Sequence, residues 1–166
     1  MRLPLAEGLD TTVILAMVLL YATGAYAFCF DEAGSEYRIS DDLLRAIAHH
    51  ESGNNPGAVN YNKNGSYDYG LMQINSGWYS TLGPRRWAGL GNPCFNTKVG
   101  AWILSRCIQK HGYTWEAVGC YNAKSKDKRV KYAWRIYNSL KRYGKERSPV
   151  KSNMHISMSN VAQEAR

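Results

Sequence analysis

Apolar positions recur with two different rhythms along this chain. From Ser40 onward, Leu43, Leu44, Ile47 and Ala48 fall at helical spacing, behind a serine N-cap and an acidic first turn of Asp41 and Asp42. Gly53 and Pro56 end that helix. Residues 58–72 lose the helical rhythm. Val59 and Tyr61 precede Asn64-Gly65, and Tyr67 and Tyr69 follow it, which predicts a short hairpin or a tight, loop-rich excursion. Asn92-Pro93 introduces a helix over about Asn96 to Lys110, with Val99, Trp102, Ile103 and Cys107 inward and Gly112 as its C-cap. Thr114 caps a shorter helix, WEAVGCYN. The last helix, about 127–143, places Val130, Ala133, Tyr137 and Leu140 on one stripe and ends at Gly144. After Ser148-Pro149 the chain turns polar and aperiodic, so residues 148–166 are expected to form a flexible tail. No internal repeat is visible. The pattern predicts a mainly α (α+β) fold, a helical domain with a small β-hairpin or loop insertion.

The N-terminus stands apart from this pattern. Residues 11–24, TTVILAMVLLYATG, are apolar but too short to span a bilayer comfortably. Ala25-Tyr26-Ala27 follows as a small-x-small cleavage pattern, so residues 1–27 read as a secretory signal peptide and 28–147 as the domain proper. Arg2 is offset by Glu7 and Asp10, which leaves an uncleaved N-terminal anchor as the alternative. Lipid attachment at Cys29 is disfavoured because bulky Phe28 stands where a lipoprotein signal requires a small residue.

Composition narrows the class. The 166 residues suffice for one domain with a real core, and 45% hydrophobic with 20% charged residues fits a folded soluble protein. Losing the leader removes one positive and two negative charges, which moves the formal net charge from +8 to +9. Such a charge suits an anionic partner: cell-wall polymer, membrane surface or nucleic acid. Eleven of the basic residues lie between Lys124 and Lys151, although a solvated helix face explains them equally simply. No nucleic-acid recognition motif accompanies them. Four cysteines, Cys29, Cys94, Cys107 and Cys120, in an exported chain favour two disulfides over a metal site. No CxxC pair exists and the histidines lack ligand spacing, so no metal or cofactor is expected. Of the three possible pairings, the expected one is Cys107–Cys120, which would staple the short connection between two helices, with Cys29–Cys94.

Glu51 is the first candidate for chemistry. It follows Ile47 by four residues and Leu43 by eight, so helical spacing puts it on the core-facing stripe. A carboxyl there is held towards its neutral form by desolvation, as a general acid near neutral pH requires. A glutamate at a frayed helix end, pointing into solvent, is the simpler alternative. Asp68 lies seventeen residues later, beyond the Asn-Gly turn and between two tyrosines, where a hairpin would return it across a groove from Glu51. Two carboxylates over a polar, aromatic-lined cleft are the arrangement that breaks glycosidic bonds, while loop turn chemistry is the plain role for an aspartate there. Core packing is the default for Trp78, Trp87 and Trp102, with Trp78 the foremost exception. His49 and His50 are expected to be structural or surface residues.

The segments AIAHHESG, YDYGLMQIN and CYNA together resemble the lysozyme-like lytic transglycosylases, notably the small exported enzymes that accompany secretion systems, conjugation machines and pili. The resemblance runs from about Cys29 to Gly144 and implies a lysozyme-like fold whose insertion lines a substrate groove. It implies that Glu51, in the ESG motif with Ser52, is the sole essential acid/base. It further implies that Gly70, Leu71, Met72 and Gln73 line the groove, with Gln73 contacting substrate or orienting Glu51, and that Tyr121 and Asn122 lie near the glutamate. Tyr69, Asn75 and Trp78 complete the expected substrate-binding set. The chain departs from the family's AYNAG motif at Cys120, which fits the expected bridge, and at Lys124, which replaces a glycine and bears on the local backbone and substrate edge. GSYDYGLMQINSGW also looks like the second-carboxylate segment of animal-type lysozymes, and the Glu51–Asp68 interval matches theirs.

The expected function is therefore a periplasmic enzyme that cleaves the β-1,4 bond between N-acetylmuramic acid and N-acetylglucosamine in peptidoglycan. Its product would be a 1,6-anhydro sugar, its catalytic pair Glu51 and Asp68, and its setting a secretion, conjugation or pilus apparatus. The alternatives are a lysozyme-type hydrolase using both carboxylates and a non-catalytic wall-binding adaptor.

Overall fold

The computed structural model describes residues 28–146, so the expected leader and the tail from 148 onward lie outside the described residues. Helix α1 (Phe30–Tyr37) and α2 (Asp41–Ser52) open the domain. Three short strands follow, β1 (Val59–Tyr61), β2 (Tyr67–Tyr69) and β3 (Ile74–Asn75), in an antiparallel sheet of order β1-β2-β3. A 3₁₀ turn (Ser76–Trp78), α3 (Tyr79–Ala88) and a second 3₁₀ turn (Gly89–Gly91) lead into α4 (Pro93–His111), α5 (Trp115–Asn122) and α6 (Lys126–Glu146). The fold is mainly helical with a small sheet, as the periodicity predicts.

One hydrophobic cluster holds these elements together. Leu43, Leu44, Ile47 and Ala48 of α2 meet Leu71, Met72 and Ile74 of the sheet segment, Leu104 of α4 and Ile136 of α6. Helix α6 packs on α5 and α2, and α4 on α1 and α5. Burial of this kind contributes roughly 1.5–3 kcal/mol per large apolar side chain. At the α5–α6 crossing, a Cβ added to Gly119 would stand 2.5 Å from the Arg129 carbonyl oxygen, so only glycine lets the helices approach this closely. Disulfides join Cys29 to Cys94 and Cys107 to Cys120, the first pinning the start of α1 to α4 and the second α4 to α5. They constrain the unfolded chain across loops of very different length.

Several details differ from the sequence expectation. Helix α2 begins where expected, but the Ser40 side chain makes no cap bond; its carbonyl accepts from the Leu44 N–H instead. Thr114 and Asn92 do cap their helices, accepting from the N–H groups of Ala117 and Phe95. The last helix runs through Gly144 to Glu146 rather than stopping there. Among its described side chains Tyr132, Ala133, Ile136 and Ser139 are buried, so the core stripe is rotated from the one expected, in which only Ala133 is fully buried. Helices α1 and α3 have no counterpart in the sequence reading. α3 is broken internally at Gly83-Pro84, which hides its periodicity.

Candidate active site

Glu51 arrives at the site because α2 carries its apolar stripe one turn further than its apolar residues do. The carboxyl accepts a hydrogen bond from the Tyr132 hydroxyl of α6. Burial pushes its pKa from 4.5 up to about 7; the Tyr132 bond lowers it and the nearby charge of Asp68 raises it. Tyr132 and Tyr121 are held well above the ordinary tyrosine range, chiefly by burial and then by the Glu51 carboxylate, so both remain hydrogen-bond donors. Their rings stack with centroids 6.4 Å apart, and the Tyr121 hydroxyl donates to the Met72 carbonyl at 2.7 Å.

Asp68 stands at the middle of β2, opposite Asn60 of β1 and Asn75 of β3. Both of its oxygens are engaged: Asn75 Nδ2 donates to one at 2.7 Å and Asn62 Nδ2 to the other at 2.8 Å. The Asn62–Ser66 turn that returns the chain is closed by the Asn62 N–H on the Ser66 carbonyl at 2.8 Å. Glu51 and Asp68 line one open groove of about 730 Å³. Its wall includes Gln73, Asn75, Trp78, Tyr121 and Asn122, together with Ile103 and the polar residues Asn62, Asn64 and Ser66. Trp78 meets Trp102 in a T-shaped contact at 5.4 Å, is half-buried and lines the groove.

Ser52, Tyr69, Gly70 and Met72, expected at the groove, do not form its wall. Ser52 Oγ donates to the Leu71 carbonyl at 2.8 Å, which ties the end of α2 to the sheet. Leu71 and Met72 are fully buried. Tyr69 packs against the core cluster. Gly70, at φ 82°, lies where a Cβ would fall 2.2 Å from Asn96 Nδ2. Asn96, fully buried on α4, receives the Met72 N–H at 2.8 Å and donates to the carbonyls of Tyr69 and Leu90. The GLMQ segment thus supports the groove from behind. Gln73 reaches the wall, but its amide holds the turn: it accepts from Asn60 at 2.6 Å and donates to the Gly70 carbonyl at 2.8 Å and the Ala58 carbonyl at 3.2 Å.

Sequence reasoning missed Tyr132, Asn62 and Asn96. The i, i+4, i+7 spacing of Tyr132, Ile136 and Ser139 is the signal that would have found the first. A possible metal cluster among the described residues, Cys29, Glu32 and Cys94, is built on two disulfide sulfurs and offers no thiolate. Among the described residues, no helix is long and apolar enough to cross a membrane.

A carboxyl that keeps its proton near neutral pH, beside a second carboxylate in a polar groove, can protonate a glycosidic oxygen. The family model described as "Transglycosylase SLT domain" matches residues 28–139. The chain is 40% identical to "Invasion protein IagB" of Salmonella typhi over 152 residues, which cover 87% of this chain and 94% of that protein. It is 43% identical to "Protein IpgF" of Shigella flexneri over 127 residues, 72% of this chain and 84% of the relative. "Peptidoglycan-binding-like protein" of Escherichia coli O157:H7 is 36% identical over 151 residues, 82% of this chain and 90% of that one.

Proposed function

Because the chain belongs to the transglycosylase SLT domain family and is a lytic transglycosylase-type enzyme, we propose that it cleaves the β-1,4 bond between N-acetylmuramic acid and N-acetylglucosamine in peptidoglycan. The muramyl product closes to a 1,6-anhydro ring. The observation that carries this reading is Glu51, a groove carboxyl whose burial raises its pKa to about 7.

Glu51 gives its proton to the departing glycosidic oxygen as the bond to the anomeric carbon breaks. The resulting carboxylate then takes the proton of the muramyl 6-hydroxyl, whose oxygen attacks the same carbon. One residue serves both steps, and the Tyr132 hydroxyl stabilises the carboxylate between them. Asp68, clamped through both oxygens by Asn62 and Asn75, supplies fixed negative charge beside the developing positive charge at the anomeric carbon. Asn75, Trp78, Tyr121 and Asn122 hold the sugars, and Gln73 fixes the turn beside them. Ser52, Tyr69, Gly70 and Met72 shape the wall from behind.

The setting follows the same reading. Residues 1–27 direct export to the periplasm and are removed, 28–147 form the enzyme, and 148–166 form a polar tail. The likeness to a protein named for invasion supports a role in opening the wall locally for a secretion, conjugation or pilus apparatus. The presence of Asp68 in the groove favours one second reading, a lysozyme-type hydrolase. Mass spectrometry of a digest of purified sacculi separates the cases. Anhydro-muramyl ends are expected; reducing ends alone mean hydrolysis, and an absence of fragments means a wall-binding adaptor.

A further inference from the structure

The groove carries more positive charge than sugar binding explains. Lys63 projects from the β1–β2 turn on one side, and Lys124 and Lys128 from the α5–α6 connection and the first turn of α6. All three line the groove that holds Glu51 and Asp68, and all three are exposed. Among the described residues, the ion pairs engage Arg45, Lys98, His111 and Arg129, and none engages these lysines. Below pH of about 7, where Glu51 keeps its proton, the wall carries three ammonium groups against the single carboxylate of Asp68. The rest of the lining is mostly asparagine, serine and aromatic, which matches the hydroxyl and acetamido groups of neutral sugars. Neutral sugars make no use of three ammonium groups. Lys124 is also the position at which the chain departs from the glycine of the family motif.

We propose that Lys63, Lys124 and Lys128 form a cationic rim that binds the carboxylates of the peptide stems attached to the glycan strand. The inference rests on the peptidoglycan reading above and deepens it: the preferred substrate is a strand that still bears its stems. Stems branch from the muramyl lactyl groups and carry free carboxylates, which the sugars themselves lack. Exposed ammonium–carboxylate pairs each contribute modestly, and they weaken with salt. Three of them favour a stem-bearing strand by roughly three- to tenfold at low ionic strength. Carboxylate is also available from the free lactyl group of a strand stripped of peptide, and the test separates the two sources.

Binding is measured with the Glu51→Gln protein, so the outcome does not depend on whether or how the strand is cut. Soluble strands from one preparation of sacculi are used with their stems and after amidase stripping. The expected result is a three- to tenfold tighter Kd for stem-bearing strands at low salt, narrowing as salt is raised. In the Lys63→Gln/Lys124→Gln/Lys128→Gln background the ratio should fall to about one. Equal binding of both strands, or a preference that survives the triple substitution, overturns the proposal. Equal weakening of both strands by the substitutions assigns the rim to the lactyl carboxylate and overturns the stem assignment. A melting curve checks the fold, and the single Lys124→Glu variant, expected to reduce the preference, serves if the triple variant is unstable. Products of the unsubstituted enzyme are analysed separately: loss of anhydro ends there refutes the transglycosylase reading without touching the binding result.

Discussion

On the helical side of the groove, Glu51 extends the apolar stripe of α2 and accepts a hydrogen bond from Tyr132. On the sheet side, Asp68 sits in a central strand with both oxygens held by asparagine amides. The two side chains differ by one methylene, and burial moves the Glu51 pKa up to about 7. Surroundings, not residue type, divide the labour: desolvation stores a proton, and fixed amide dipoles store a charge.

Removing the stored proton should have the largest effect. Glu51→Gln preserves shape and neutrality but has no proton to give, and should lower kcat on sacculi by about a thousandfold or more. A variant retaining a tenth of the activity would break the assignment. Asp68→Asn tests the other half of the comparison. A fixed charge that helps without bonding should cost about ten- to a hundredfold. A loss matching that of Glu51→Gln would mark Asp68 as a nucleophile and favour hydrolysis.

The same contrast has a stability consequence. Glu51 has its folded pKa raised, so between pH 4.5 and about 7 the folded protein binds more protons than the unfolded chain. Stability therefore falls as pH rises through that window, by on the order of 3 kcal/mol at most. Glu51→Gln lacks this term and should melt at a higher temperature than the parent at pH 8, with the gap closing at pH 4. A gap independent of pH would contradict the raised pKa. Tyr132→Phe should have the smallest effect on rate, several-fold. Because the Tyr132 bond lowers the Glu51 pKa, its loss should move the alkaline limb of kcat/KM to higher pH. A limb that stays in place would mean that Tyr132 only packs.

How much of this was legible in the chain also divides along the groove. The helical side declares itself through a 3.6-residue rhythm, and Glu51 is found by continuing the Leu43–Ile47 spacing one turn. Asn64-Gly65 betrays the turn that returns Asp68. β3 does not show, because two residues cannot establish an alternation. Tyr132 does not stand out in the sequence, because Tyr and Trp are frequent along the last helix and a one-residue shift rotates the stripe by about 100°. The motif GLMQ was legible as a motif but not as a placement. Tight packing of Gly70 on Asn96 and the burial of Met72 turn most of it into the core, and only tertiary contact reveals that. The groove's Asn62, Lys63, Asn64, Lys124 and Lys128 lie in turns and at a helix start, where periodicity carries no information.

The most direct test of the division between the two carboxylates is a carbon-13 NMR titration of the side-chain carboxyls in the free protein. The account predicts one glutamate signal titrating at about pH 7 that disappears in Glu51→Gln. A Glu51 signal titrating at the ordinary glutamate value of 4.5 would contradict it.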